Sequence, residues 1–100
     1  MEKGSVRVEL EFNEQAYRVA EHLFDQFEDA SKALDRSRDD NVFQQLCGKY
    51  LFSLRMQLEH LAKGLIEKYR SLPDINHLAK RLTASVNAYV DEFRQRAEAL

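Results

Sequence analysis

The stretch from Asp40 to Leu72 limits what this chain can fold into more than any other part of it. Read at helical period, it carries apolar side chains on two faces. One seam runs Cys47, Leu51, Leu54, Leu58, Leu61, Leu65 and Leu72 in steps of three and four, with Lys68 as its one interruption. A second stripe runs Val42, Leu46, Phe52, Met56 and Ile66. A helix that leans on a bundle by one face needs a single stripe. This helix is therefore expected to lie at the centre of the fold or to give its second face to a partner.

The segments on either side are organised around it. Met1 to Gly4 read as a loose tail. From Ser5 to Phe12 the pattern alternates, with Val6, Val8, Leu10 and Phe12 on one side and Arg7, Glu9 and Glu11 on the other, which predicts a half-buried strand. No second stretch alternates in this way, and a lone strand leaves a row of unpaired backbone groups. Its own copy, related by a two-fold axis, is the economical partner. Asn13 reads as the cap of a helix over about 14–36, with the seam Ala16, Ala20, Leu23, Phe27, Ala30 and Leu34. The long helix is expected over about 41–71, ending before Pro73. Ser71 and Asp74 have the spacing of a capping box for a third helix over about 74–99, with Ile75, Ala79, Leu82, Val86, Tyr89, Phe93 and Leu100 inward. Short connections make the neighbours antiparallel. At 1.5 Å per residue the three lengths are about 34, 46 and 39 Å, so the long helix should overhang the first. The expected fold is all-α, an antiparallel three-helix bundle with a short N-terminal β-strand pairing across a homodimer, and one domain spans residues 1–100.

Composition narrows the function classes. Residues 11–40 hold nine acids against four bases and residues 41–100 hold six against nine, so an acidic first helix faces mildly basic neighbours. Opposite charge on adjacent helices favours docking. Nucleic-acid binding needs a clustered basic excess that is missing here. Cys47 is the single cysteine and lies in the core seam, where a thiol acts as a small hydrophobe. His22, His77 and Asp25 make no metal-ligand spacing, so neither a metal nor a cofactor is expected. With no basic and apolar leader and no apolar run of membrane length, the expected location is cytoplasmic.

Chemistry-bearing residues are few. The run Glu59-His60-Leu61-Ala62-Lys63-Gly64 resembles the His-x-x-Lys-Gly motif of histidine-containing phosphotransfer domains. The resemblance implies a helical signalling module with His60 as phosphoacceptor, Lys63 neutralising phosphate oxygens and Gly64 admitting a partner's active site. Read without it, His60 is an exposed polar residue, Lys63 pairs with Glu59 and Gly64 allows close helix packing. Arg55 and His60 also match, as a spacing, the Arg-x4-x6-His signature of HEPN ribonucleases, and that resemblance implies RNA cleavage by this pair. Residues five apart on one helix diverge by about 140°. A strand followed by helices resembles ribbon-helix-helix repressors, but the outward Arg7, Glu9 and Glu11 would aim two carboxylates at a phosphate-rich groove. The residues favour a non-enzymatic interaction or regulatory module, homodimeric, with Val6, Val8, Leu10, Phe12, Phe52, Met56 and Ile66 as the interaction surface.

Overall fold

The computed structural model describes residues 3–100 and is all-helical. Helix α1 spans Lys3–Ser31, α2 Asp40–Lys68 and α3 Ile75–Glu98. Each packs against the other two, forming a rod of 54 × 18 × 17 Å. The helical bundle is as expected from the periodicity, and among the described residues there is no strand.

Residues 5–12, expected to be a strand, fall within the first three turns of α1. The alternating pattern and the helical one share every fourth residue, and here the shared residues are the buried ones. Val8 and Phe12 are fully buried and continue into Ala16 and Ala20, while Val6 and Leu10 are 49% and 60% exposed. A strand would have buried all four. The helix satisfies the segment's backbone internally, which removes the unpaired edge from which a dimeric ribbon was inferred. Of the tail expected at 1–4, Met1 and Glu2 lie outside the described residues, and Lys3 and Gly4 already belong to α1.

Starting early makes α1 as long as α2, 29 residues each. The expected overhang of the long helix disappears with it. Asn13 is not a cap but a mid-helix residue, whose carbonyl oxygen and side-chain amide oxygen both receive the Tyr89 hydroxyl, at 3.2 and 3.4 Å. At its other end α1 stops at Ser31, short of Arg36, and leaves the seam residue Ala30 exposed. The connection that follows is stabilised by an Asx-type turn, in which the Asp35 carboxylate accepts from the Ser37 amide at 3.0 Å and its hydroxyl at 2.7 Å. Those bonds to Ser37 hold the Asp35 carboxyl below its ordinary value. Asp39 caps α2 by position, although its carboxylate turns back to accept the Asp35 amide at 3.1 Å.

The second connection is tied to the start of α1. Asp74 is the N-cap of α3 but makes no side-chain bond to that helix, so the capping box with Ser71 does not form. Its carboxylate instead accepts the hydroxyl of Ser5 at 2.5 Å, which holds the Asp74 carboxyl below the usual range. Ser5 is fully buried. Beside it, Gly4 packs under the Leu72 side chain, and a methyl group there would come within 2.9 Å of a Leu72 methyl and make that side chain shift.

The core runs the length of the rod. Phe12, Leu54, Leu58, Leu78 and Leu82 are fully sealed between the middle of the rod and the end where α3 begins. Towards the other end, Phe27 packs on Phe43 at 5.4 Å, Tyr50 at 5.7 Å and Phe93 at 5.8 Å between ring centroids. The charge asymmetry in the sequence reappears at the rims, where Glu9 and Glu21 of α1 pair with Arg81 and Arg96 of α3, and Glu11 with Lys68 of α2 at 3.7 Å. These pairs are half-exposed, so each adds at most about 1 kcal/mol and serves mainly to align the helices.

The helical start of the chain makes neighbours in the alternating segment respond differently. Phe12→Ala is expected to cost about 3–5 kcal/mol, as other buried aromatic truncations do. Leu10→Ala should stay within about 0.5 kcal/mol. Urea unfolding of the two variants measures both, and equal losses would return residues 5–12 to a strand.

Candidate functional site

The site is the outer face of α2. Its inner face closes the bundle with Phe43, Cys47, Leu54, Leu58 and Leu65, all buried. Burial pushes the Cys47 thiol up from its ordinary value, in keeping with a packing residue. Turned half a revolution away, Gln45, Lys49, Phe52, Met56, Glu59 and Lys63 recur in alternating steps of four and three, and all six are exposed. Phe52 is 67% and Met56 51% exposed, one turn apart at the middle of the row.

The second apolar stripe divides in the structure. Leu46 and Ile66 are half-buried and pack against the core, whereas Val42, Phe52 and Met56 stay in solvent. Of the seven residues expected to make contacts with a partner, Val8 and Phe12 are sealed inside the bundle, which corrects their assignment to an interaction surface. Ile66 lines a groove between α2 and α3, so it too belongs partly to the bundle. Val6, Leu10, Phe52 and Met56 remain accessible; the first two share α1 with the exposed Tyr17.

Grooves flank the row on both sides. On the α3 side a cleft of about 280 Å³ has an apolar floor that includes Ile66, Leu82 and Val86, and a polar rim of Arg55, Glu59, Lys63, Thr83 and Asn87. Arg55 donates through Nη1 to Asn87 Oδ1 at 2.9 Å and lies 3.9 Å from Glu59. On the α1 side a shallower depression of about 420 Å³ is lined by Gln15, Val19, Met56, Gln57, His60 and Leu61.

This arrangement separates residues that the motifs join. His60 is exposed and opens towards α1, while Lys63 and Arg55 line the cleft towards α3. Glu59 has Arg55 as its ion-pair partner, in place of the Lys63 expected from the sequence. His22 sits elsewhere, with its imidazole Nε2 3.2 Å from the Gln26 side-chain nitrogen. Among the described residues no group of three or more His, Cys, Asp or Glu side chains is placed to hold a metal ion, and no helix is long and apolar enough to cross a membrane.

Compared with protein-family models, curated proteins and solved structures, the chain matches none. The outer face of α2 is thus read from its own residues. An apolar stripe alone does not single out Lys49 or Glu59. The signal that finds them is the step pattern, which continues through the charged positions on both sides of Phe52 and Met56.

Two glycines of α2, Gly48 and Gly64, are exposed, and a methyl group at either would meet no atom beyond its own helix within 4 Å. Packing inside the bundle therefore does not require Gly64, contrary to the sequence reading. Each glycine weakens the helix relative to alanine. Gly48→Ala and Gly64→Ala are each expected to raise the unfolding free energy by about 0.5–1 kcal/mol. Urea denaturation checks this; a loss of stability in either variant would place a close neighbour against that position.

Proposed function

We propose that the chain is a non-enzymatic helical protein–protein interaction module whose docking ridge is the outer face of α2. The observation that carries this reading is the exposure of Phe52 and Met56, adjacent on a helix whose opposite face already completes the core. An exposed aromatic ring gains apolar burial only from a second surface. Aromatic residues and methionine are also the side chains most enriched where proteins meet, methionine because its flexible thioether adapts to the opposing shape. The grooves on either side give a partner helix or loop apolar walls to extend over.

The test is a photo-crosslinking phenylalanine analogue at position 52, irradiated in the cells that make the protein. An adduct with a defined protein, either this chain or another, is the expected result. It should disappear when Met56→Asp is added, while the circular dichroism spectrum stays unchanged. No adduct from position 52 would remove the ridge as a docking surface.

A second reading rests on His60, which is solvent-exposed at the middle of α2 beside the apolar Met56. In a phosphotransfer module, such an imidazole takes the phosphoryl group from an aspartyl phosphate on a response regulator, and the regulator docks on the neighbouring apolar surface. Radiolabel from a phosphorylated response regulator would then reach the wild-type chain and not His60→Gln. Equal labelling of the two, or none of either, ends that reading.

A further inference from the structure

We infer that the occupant of the α2 ridge is a second copy of this chain, docked antiparallel with a two-fold axis that crosses the ridge midway between Phe52 and Met56. The inference rests on the proposed role of the ridge and adds to it the identity, direction and register of the partner.

The row Gln45, Lys49, Phe52, Met56, Glu59 and Lys63 has the four-three spacing of a two-helix seam. Over these residues it runs about 27 Å at the rise of an α-helix. Its chemistry is self-complementary on reversal. Pairing each position with the one equidistant from residue 54 sets Phe52 against Met56 of the second copy, Lys49 against Glu59 and Gln45 against Lys63. The two-fold axis repeats every layer. The result is an apolar centre of four side chains with a lysine–glutamate pair on each side, and no like charges meet within a layer.

A parallel pairing in register does the opposite. It stacks Lys49 on Lys49, Glu59 on Glu59 and Lys63 on Lys63, and each such layer is repulsive. The order of charges along the row therefore selects one direction. A face that complements itself under a two-fold rotation is the requirement for an isologous dimer, and an unrelated partner would not demand it.

The surroundings agree with this register. Among the described residues, neither Lys49 nor Lys63 has an ion-pair partner in its own chain. Arg55 would lie close to its symmetry mate at the axis, but its guanidinium is drawn towards α3 by Asn87 at 2.9 Å. Gly48, next to Lys49, leaves open space where a second helix backbone can approach. With only two apolar layers, the association is weak and reversible, at the small end of specific interfaces.

Sedimentation equilibrium of the full chain, from micromolar to millimolar concentration, tests the inference. The wild type is expected to show a monomer–dimer equilibrium. Lys49→Glu opposes Glu59 of the other copy twice per dimer and should weaken it by about tenfold or more, and Glu59→Lys should do the same. The double variant K49E/E59K restores both pairs in the antiparallel arrangement alone, so its dimer should return to within about threefold of wild type. All these positions are exposed, and circular dichroism verifies that each variant is folded. A wild type that stays monomeric at millimolar concentration, or a double variant no tighter than the singles, overturns the inference. Should the monomeric protein still give a crosslink from position 52 to a different protein, the ridge keeps its role and only the second copy is excluded.

Discussion

The packing of the three helices turns on the ring of Phe27. From the last third of α1 it reaches Phe43 and Tyr50 of α2 and Phe93 of α3, all at centroid separations of 5.4 to 5.8 Å. The pairs with Phe43 and Tyr50 are edge-to-face and that with Phe93 is tilted, and aromatic pairs of this kind add about 0.5–1.5 kcal/mol each beyond the area they bury. Their angular preference also fixes how each helix is rotated about its own axis. Once that rotation is set, Leu54, Leu58, Leu78 and Leu82 point inward along the rest of the rod, and Phe52 and Met56 are left outside. The exposed ridge is the face of α2 opposite the seam that this packing, together with the buried leucines, turns inward.

Much of this was legible in the residues. The seams of α2 and α3 were visible because long runs of leucine and valine at steps of three and four admit one period only. The connections were legible from the Asp, Ser and Asn residues near 35–41 and from Pro73. Residues 5–12 are ambiguous in the sequence because Val8 and Phe12 serve both an alternating and a helical pattern, and the two patterns differ chiefly at Ser5, which the helix buries, and at Val6 and Leu10, which it exposes. What decides between them lies far along the chain: the Ser5 hydroxyl bonds Asp74, and Gly4 fits under Leu72. A local window contains neither partner.

Of the surface residues, Phe52 and Met56 were identifiable from the sequence because they fall outside the leucine seam. The separation of His60 from Arg55 followed from helical geometry, but that of His60 from Lys63 did not. Residues three apart share a broad face, and only the placement of α1 and α3 on either side shows that this face is split between two grooves. The acidic bias of the first helix was also legible, and its use is mostly local, since Glu9, Glu11 and Glu21 meet cations on the neighbouring helices. On the outer row of α2, Lys49 and Lys63 stand apart from that scheme, whereas Glu59 meets Arg55.

The bonds that join α1 to α3 link positions 69 to 76 residues apart: Ser5 with Asp74, Glu9 with Arg81, Glu21 with Arg96 and Tyr89 with Asn13. During synthesis the first two helices emerge as a hairpin long before their third neighbour exists. Until Phe93 leaves the ribosome, the aromatic cluster lacks one wall, and the nascent hairpin presents that greasy opening to whatever surrounds it. Closure must wait until Phe93 and Arg96 are free to pack, so a nascent chain held short of them keeps an unfinished bundle, a natural client for chaperones.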